Sequence, residues 1–238
     1  ILLITKTISD LLFPPDIYCL CCGKYTGPGS RYSLCSHCME RMNFKALPLR
    51  IEGFDWAAAA MGYGTYERRM IFSLKYDGNT YVAVTAAELI RDAIIHMTID
   101  DISCPLLRAD IITEVPVSSQ RARERGFNQA EKIAAHLGAM CGIKHEKKVL
   151  LRIKDTRAQR ALSPDERREN MAGAFCAAPD KRAAVQGKRV LLIDDIFTTG
   201  ATASECGRAL REAGVSELYF AALLNAANRH HQQPDSYA

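Results

Sequence analysis

Two kinds of apolar pattern alternate along the chain. Short dense runs, bounded by charge or turn residues, suit strands buried on both faces. Val190–Ile193 is the clearest of these, and Asp110–Val117 carries Ile111, Ile112 and Val115 in the same way. Phe54–Tyr63, closed by Gly62 and Gly64, predicts an entry strand, and Ser216–Leu224 a closing one. Val149–Ile153 and Met171–Ala177 predict two shorter strands. Between them the apolar positions shift to helical spacing. Met70, Ile71 and Leu74 mark a short helix over Tyr66–Tyr76; Val82, Ala86, Leu89, Ile90, Ala93, Ile94 and Met97 mark a long one. A third presents Ala130, Ile133, Ala134, Leu137 and Met140, and a fourth, from about Ala203, presents Cys206, Ala209, Leu210 and Ala213 before Gly214. Ile1, Ile4, Ile8, Leu11 and Leu12 predict one more short amphipathic helix, ended by Pro14 and Pro15. Met39–Glu52 reads as a linker and Arg182–Lys188 as a polar turn. The pattern as a whole predicts one α/β core with a smaller appendage.

Composition changes this picture little. Of 238 residues, 48% are hydrophobic and 24% charged, which fits a globular fold and not a disordered chain. The net charge of +4 permits anionic ligands without indicating nucleic acid by itself. No apolar run approaches the roughly 20 residues that span a bilayer. A secretory signal is not expected either, because Ile1–Ile8 is only briefly apolar.

The cysteines add chemistry. There are nine, and five crowd into Cys19–Cys38 while the rest sit singly among apolar neighbours. That distribution suits a cytoplasmic metal site with buried thiols, not a secreted disulfide framework. Cys19 and Cys22 are spaced Cys-x2-Cys, as are Cys35 and Cys38, with twelve residues between the pairs. Each pair can wrap one side of a tetrahedral zinc ion, and Gly23 permits the tight turn. Cys19, Cys22, Cys35 and Cys38 are the predicted ligands, with Cys21 and His37 as spares; the other reading is a set of reduced thiols without an ion. Four thiolates leave no position for water, so the site is structural.

The stretch Val190–Thr202 carries the remaining chemistry. The strand is followed by Asp194 and Asp195, then Ile196, Phe197, Thr198, Thr199, Gly200, Ala201 and Thr202 lead into a helix. A small-residue turn at a helix start gathers unpaired amides and a positive dipole end, a ready phosphate cradle. The adjoining acids suit sugar hydroxyls or a magnesium ion. Arg121, Arg123 and Arg125 recur just past the 110–117 strand, at the edge where open α/β sheets bind ligands. Arginine forks match diphosphate oxygens, although the same residues also read as solvated charges.

The thirteen residues Val190–Thr202 resemble the phosphoribosyl diphosphate (PRPP) signature of type I phosphoribosyltransferases. Arg121–Ala130, the paired cysteines, Tyr66–Tyr76 with Lys75, and Thr156-x2-Gln159-x2-Leu162 leading to Phe175 are similar to the competence protein F branch. The resemblance implies a mostly parallel sheet flanked by helices with a small N-terminal zinc-binding subdomain. Its boundaries fall at an N-terminal segment and knuckle over 1–50, a phosphoribosyltransferase-like domain over 51–225 and a polar tail over 226–238. It also implies PRPP held with magnesium: Asp194 and Asp195 on the ribose or metal, residues 196–202 around the 5′-phosphate, and Val117, Ser118 and the three arginines on the diphosphate side. Thr156 and Gln159 would belong to a lid, and no side chain acts as nucleophile. Two functions follow: phosphoribosyl transfer to an unidentified nitrogen acceptor, or an accessory role in DNA uptake and processing. In the second, the knuckle and the basic 121–125 and 147–168 segments would meet single-stranded DNA or DNA-processing proteins.

Overall fold

The structure is a computed structural model that describes residues 17–27, 29–76, 80–99, 104–118, 123–124, 126–154, 166 and 171–227. The N-terminal amphipathic helix expected before Pro14 and most of the polar tail fall outside them.

Six strands form one sheet in the order β1-β2-β8-β7-β3-β4. They are β1 (Leu47–Pro48), β2 (Trp56–Gly62), β3 (Ile111–Glu114), β4 (Lys144–His145), β7 (Arg189–Phe197) and β8 (Glu217–Asn225). Only β1 runs antiparallel to its neighbour; the other pairs are parallel. The remaining strands, β5 (Leu150–Arg152) and β6 (Phe175–Ala177), form a separate antiparallel pair. The mostly parallel sheet expected from the sequence is present.

Among the described residues the α-helices are α1 (Ser36–Met39), α2 (Thr65–Tyr76), α3 (Thr80–Met97), α4 (Pro105–Arg108), α5 (Gln129–Cys141), α6 (Arg182–Val185) and α7 (Ala201–Glu212). Chain from β3 returns through α5 to β4, moving one way across the sheet. Chain from β7 returns through α7 to β8, moving the other way. The reversal falls between β3 and β7, and open α/β folds offer their ligand crevice at such a reversal.

Alternation along the central strand sets the two layers. Leu191 and Ile193 of β7 pack with Ile90 and Ile94 of α3 and Ile133 and Leu137 of α5. Val190 and Leu192 pack on the opposite face with Phe175 of β6 and Cys206, Ala209 and Leu210 of α7. The cysteine knuckle belongs to the first layer: Cys19, Leu34, Cys38 and Met42 are buried in one cluster with Met61, Met70 and Val82. Tyr32 donates its hydroxyl to Asp92 Oδ2 at 2.7 Å, and Thr85 Oγ1 donates to the Tyr32 carbonyl at 3.2 Å. Both Asp92 and Thr85 lie on α3, so polar pins and apolar burial dock the knuckle together.

Three expectations shift. The linker over 39–52 contributes β1, where Leu49 N–H donates to the Ala57 carbonyl; Pro48 is tolerated because β1 is an edge strand. The polar turn at 182–188 opens with the short helix α6, closed by burial of Val185. The strand at 190 continues through both acids to Phe197, because β8 keeps pairing with it as far as Asn225.

Candidate functional site

The site is built where β7 outruns one of its neighbours. Glu114 of β3 is in register with Ile193, and Val115 N–H still donates to the Ile193 carbonyl at 2.9 Å. Pro116 then has no N–H to offer, so this ladder stops and the chain leaves the sheet as Pro116–Val117–Ser118. On the other side the ladder with β8 persists, and Ala226 N–H donates to the Phe197 carbonyl at 2.7 Å. Asp194 and Asp195 are therefore held in extended backbone at the carboxyl edge, half-buried, with Asp194 Oδ1 accepting from Asp195 N–H at 2.8 Å.

Phe197 anchors the turn that follows. Its ring is buried, 6.0 Å from the Phe220 ring in an edge-on contact. Thr198 is half-buried and Thr199 exposed above it. Gly200 then takes a left-handed conformation, φ 83°, which side-chain-bearing residues resist. A Cβ there would also stand 3.2 Å from the Phe197 ring. Gly200 is the N-cap of α7, no side chain caps that helix, and its first turn has no acid. Its amides and dipole end thus face the edge beside the two acids, an arrangement that can receive a phosphate group. Ile196, Ala201 and Thr202 complete the stretch, with Ala201 buried against the sheet.

Cys206, one turn into α7, is fully buried. Burial pushes its thiol well above the ordinary range and the nearby Asp194 charge adds to this, so no reactive thiolate lies beneath the turn.

Val117 and Ser118 are half-buried beside this edge, and Arg123 is exposed. Arg121, Arg125, Thr156 and Gln159 lie outside the described residues. The hairpin that flanks 155–170 is described, and α7 supports it. Ile153 N–H donates to the Ala174 carbonyl, Lys154 Nζ to the Ala172 carbonyl, and Gly173 N–H to Glu205 Oε2 of α7 at 2.8 Å.

Asn128 was not singled out by sequence reasoning. Its Nδ2 donates to the Val115 carbonyl at 2.9 Å while its Oδ1 accepts from Ala130 N–H at 3.1 Å. One side chain thus caps α5 and ties the end of β3 to it, closing the neck of the 116–127 segment. An asparagine immediately before a helical stripe was the available signal.

The four predicted zinc ligands come together: the Sγ atoms of Cys19, Cys22, Cys35 and Cys38 all lie within 4.8 Å of one another. Tetrahedral zinc with bonds of about 2.3 Å needs sulfur atoms about 3.8 Å apart. Cys22 and Cys35 sulfurs are 3.7 Å apart, so the donor set fits the ion. Burial opposes ionisation of Cys19, but N–H groups from Cys35, Cys22 and Cys21 outweigh it and bring the thiol down to about 7. The spares have partners outside the cluster as well. Cys21 Sγ donates to the Tyr66 carbonyl at 3.5 Å and its thiol is pushed up to about 11, chiefly by burial. His37 Nδ1 lies 3.1 Å from Arg41 Nη1.

Known proteins resemble parts of the chain. Residues 123–238 match the model of the phosphoribosyl transferase domain. Competence protein F of Haemophilus influenzae is 37% identical over 109 residues, covering 46% of this chain and 47% of its own length. DNA utilization protein YhgH of Salmonella typhi is 29% identical over 147 residues, 62% of each chain. The chain thus spans about half to three fifths of the length of these curated relatives. Among solved structures, a glutamine PRPP amidotransferase from B. subtilis aligns at 24% identity with a TM-score of 0.36, over 59% of this chain and 26% of that one. Residues 123–238, the carboxyl-terminal part of the chain, are thus similar to a phosphoribosyl transferase domain. The chain, which also carries the N-terminal four-cysteine cluster, is similar to competence protein F over part of its length.

Proposed function

We propose that this protein binds PRPP together with magnesium and transfers the phosphoribosyl group to a nitrogen acceptor. The observation that carries the reading is the N-terminus of α7, free of any side-chain cap and placed by left-handed Gly200 one short turn beyond a strand end that carries two half-buried acids at the carboxyl edge of a parallel sheet. In this reading Thr198–Thr202 cradle the 5′-phosphate through backbone amides, and Asp194 and Asp195 hold the ribose hydroxyls. Val117 and Ser118, with Arg121, Arg123 and Arg125, face the diphosphate, and Thr156 and Gln159 belong to a segment that closes over it. Magnesium, when bound, neutralises charge on the diphosphate. A C1–nitrogen bond forms as the C1–oxygen bond breaks, and its electron pair leaves with diphosphate. Positioning and charge stabilisation drive the step, so no protein nucleophile is required. Zinc on Cys19, Cys22, Cys35 and Cys38 is structural.

The relatives' names suggest the setting: one is a competence protein and the other a DNA utilization protein. We place the activity in the cytoplasm in support of DNA uptake, in keeping with a thiol-rich metal site. No helix among the described residues is long and apolar enough to cross a membrane.

PRPP with magnesium at about 100 times its Kd should raise the melting temperature by about 5–10 °C. Joint replacement Asp194→Ala and Asp195→Ala should remove the shift. An equal shift in that variant, or none in the wild type, would sink the ligand assignment. Diphosphate release across a panel of nitrogen bases then tests transfer, and binding without release on any base would leave the protein a PRPP sensor.

A further inference from the structure

Glu67 is buried, 2% exposed, in the first turn of α2. Arg68 N–H closes on the Gly64 carbonyl, so Gly64 is the helix N-cap and Glu67 the third helical residue. An acid at that position ordinarily turns back to the N-cap amide. Glu67 instead reaches across to the chain leaving the cysteine knuckle: its Oε1 accepts from Asn43 N–H at 2.6 Å. That is its one hydrogen bond among the described residues, and no salt bridge to it occurs among them.

Both ends of this contact lead somewhere. Towards the knuckle, Asn43 follows Met42, whose own N–H closes on the carbonyl of Cys38, a fully buried member of the four-cysteine cluster. Towards the sheet, Glu67 Oε2 fills the space above Gly64, where a Cβ would stand 2.4 Å from it. The Asn43 Nδ2 lies 3.2 Å from where Gly62 would carry a Cβ. Gly62 ends β2 in register with Asn225, and Asn225 is in register with Phe197, the anchor of the phosphate turn.

We propose that Glu67 is a positioning residue coupling the four-cysteine cluster to the carboxyl edge of the sheet. Metal on the cysteines orders the turn Cys38–Met42 and so presents the Asn43 amide; Glu67 grips that amide, and together they clamp Gly62–Gly64. A buried carboxyl deprived of its donor is costly, so loss of the knuckle's order releases the clamp. The coupling is reciprocal: weakening the clamp weakens metal retention by the same factor. The inference rests on the zinc reading of the cluster and is independent of PRPP.

The test combines zinc content, chelator-driven zinc release and backbone hydrogen exchange over residues 58–70. Removing zinc from the wild type should raise exchange at 61–70. Glu67→Ala should release zinc about tenfold faster, as expected from losing one hydrogen bond to a carboxyl group, and should show fast exchange at 61–70 with zinc still bound. Glu67→Gln keeps the acceptor oxygen and should restore wild-type behaviour. Gly64→Ala displaces the carboxyl without touching the knuckle and should reproduce Glu67→Ala. The two changes combined should be no worse than either alone. If Glu67→Ala does not fold, Gly64→Ala and the wild type with and without chelator still decide. Protein that contains no zinc overturns the metal reading and the coupling with it. Bound zinc whose removal leaves exchange at 61–70 unchanged overturns the coupling alone.

Discussion

Asn128 joins the end of β3 to the start of α5 through two hydrogen bonds of opposite sense. The two roles can be separated. Asn128→Asp keeps the oxygen that caps α5 but turns a second acceptor towards the Val115 carbonyl. Asn128→Ala removes both contacts. Asn128→Asp should cost about 1–2 kcal/mol and Asn128→Ala roughly twice as much, the cap and the tether being worth similar amounts. Urea unfolding checks this, and a wild-type midpoint in Asn128→Asp would show that the tether holds nothing. The cap was legible in the sequence, since asparagine before a helical stripe is a start signal. The tether was not, because Val115 lies thirteen residues back and only the sheet edge brings its carbonyl within reach. The cysteine cluster was legible for the opposite reason: its ligands come as two local pairs, and metal chemistry dictates their spacing whatever the fold around them.

At the scale of elements, α7 shows how packing sets a residue against its own propensity. Gly207 sits inside the helix, where alanine would ordinarily be better by about 1 kcal/mol. Yet a Cβ at Gly207 would lie 2.6 Å from Phe54 Cε2. Gly207→Ala should therefore destabilise by about 1–3 kcal/mol, as overpacking does, and a Phe54→Leu background should relieve most of the loss. Thermal unfolding of the single and double variants reads the sign; a stabilised Gly207→Ala would mean that Phe54 yields freely. The stripe Cys206, Ala209, Leu210 revealed this helix, but not its start at Ala201. The start is decided by Gly200 and Phe197, whose contact is tertiary. β7 likewise looked four residues long by its apolar run, because the acids that extend it satisfy a ladder and not a core.

At the scale of the whole molecule, the sheet edge opposite the site is held by charge. Arg189, at the start of β7, donates to Asp110 from Nε at 3.2 Å, from Nη2 at 2.8 Å and from its backbone N–H at 2.8 Å. The guanidinium first, then the backbone donor, holds the Asp110 carboxyl down to about 2. A carboxyl depressed by folding stabilises fully above its unfolded value near 3.8, and that contribution disappears as pH falls from about 4 to 2. Both side chains are about one third exposed, so screening limits it to about 1 kcal/mol or less. Asp110→Asn should lower stability at pH 7 by that amount and match the wild type at pH 2. Denaturant midpoints across pH check this, and a constant gap at every pH would assign the loss to packing instead. The sequence by itself determined what depends on neighbours along the chain: the alternation of strands and helices, the paired cysteines, and the glycine turn after two acids. Only the tertiary structure decided what depends on distance between remote residues. It placed Asp194 and Asp195 within a ladder that β8 sustains and β3 abandons at Pro116, and it buried the knuckle in the same apolar layer as the sheet. It also joined Asn43 to Glu67, twenty-four residues away. Local patterns follow from periodicity and backbone preference, which each residue carries with it; such remote contacts follow from how whole layers close on one another.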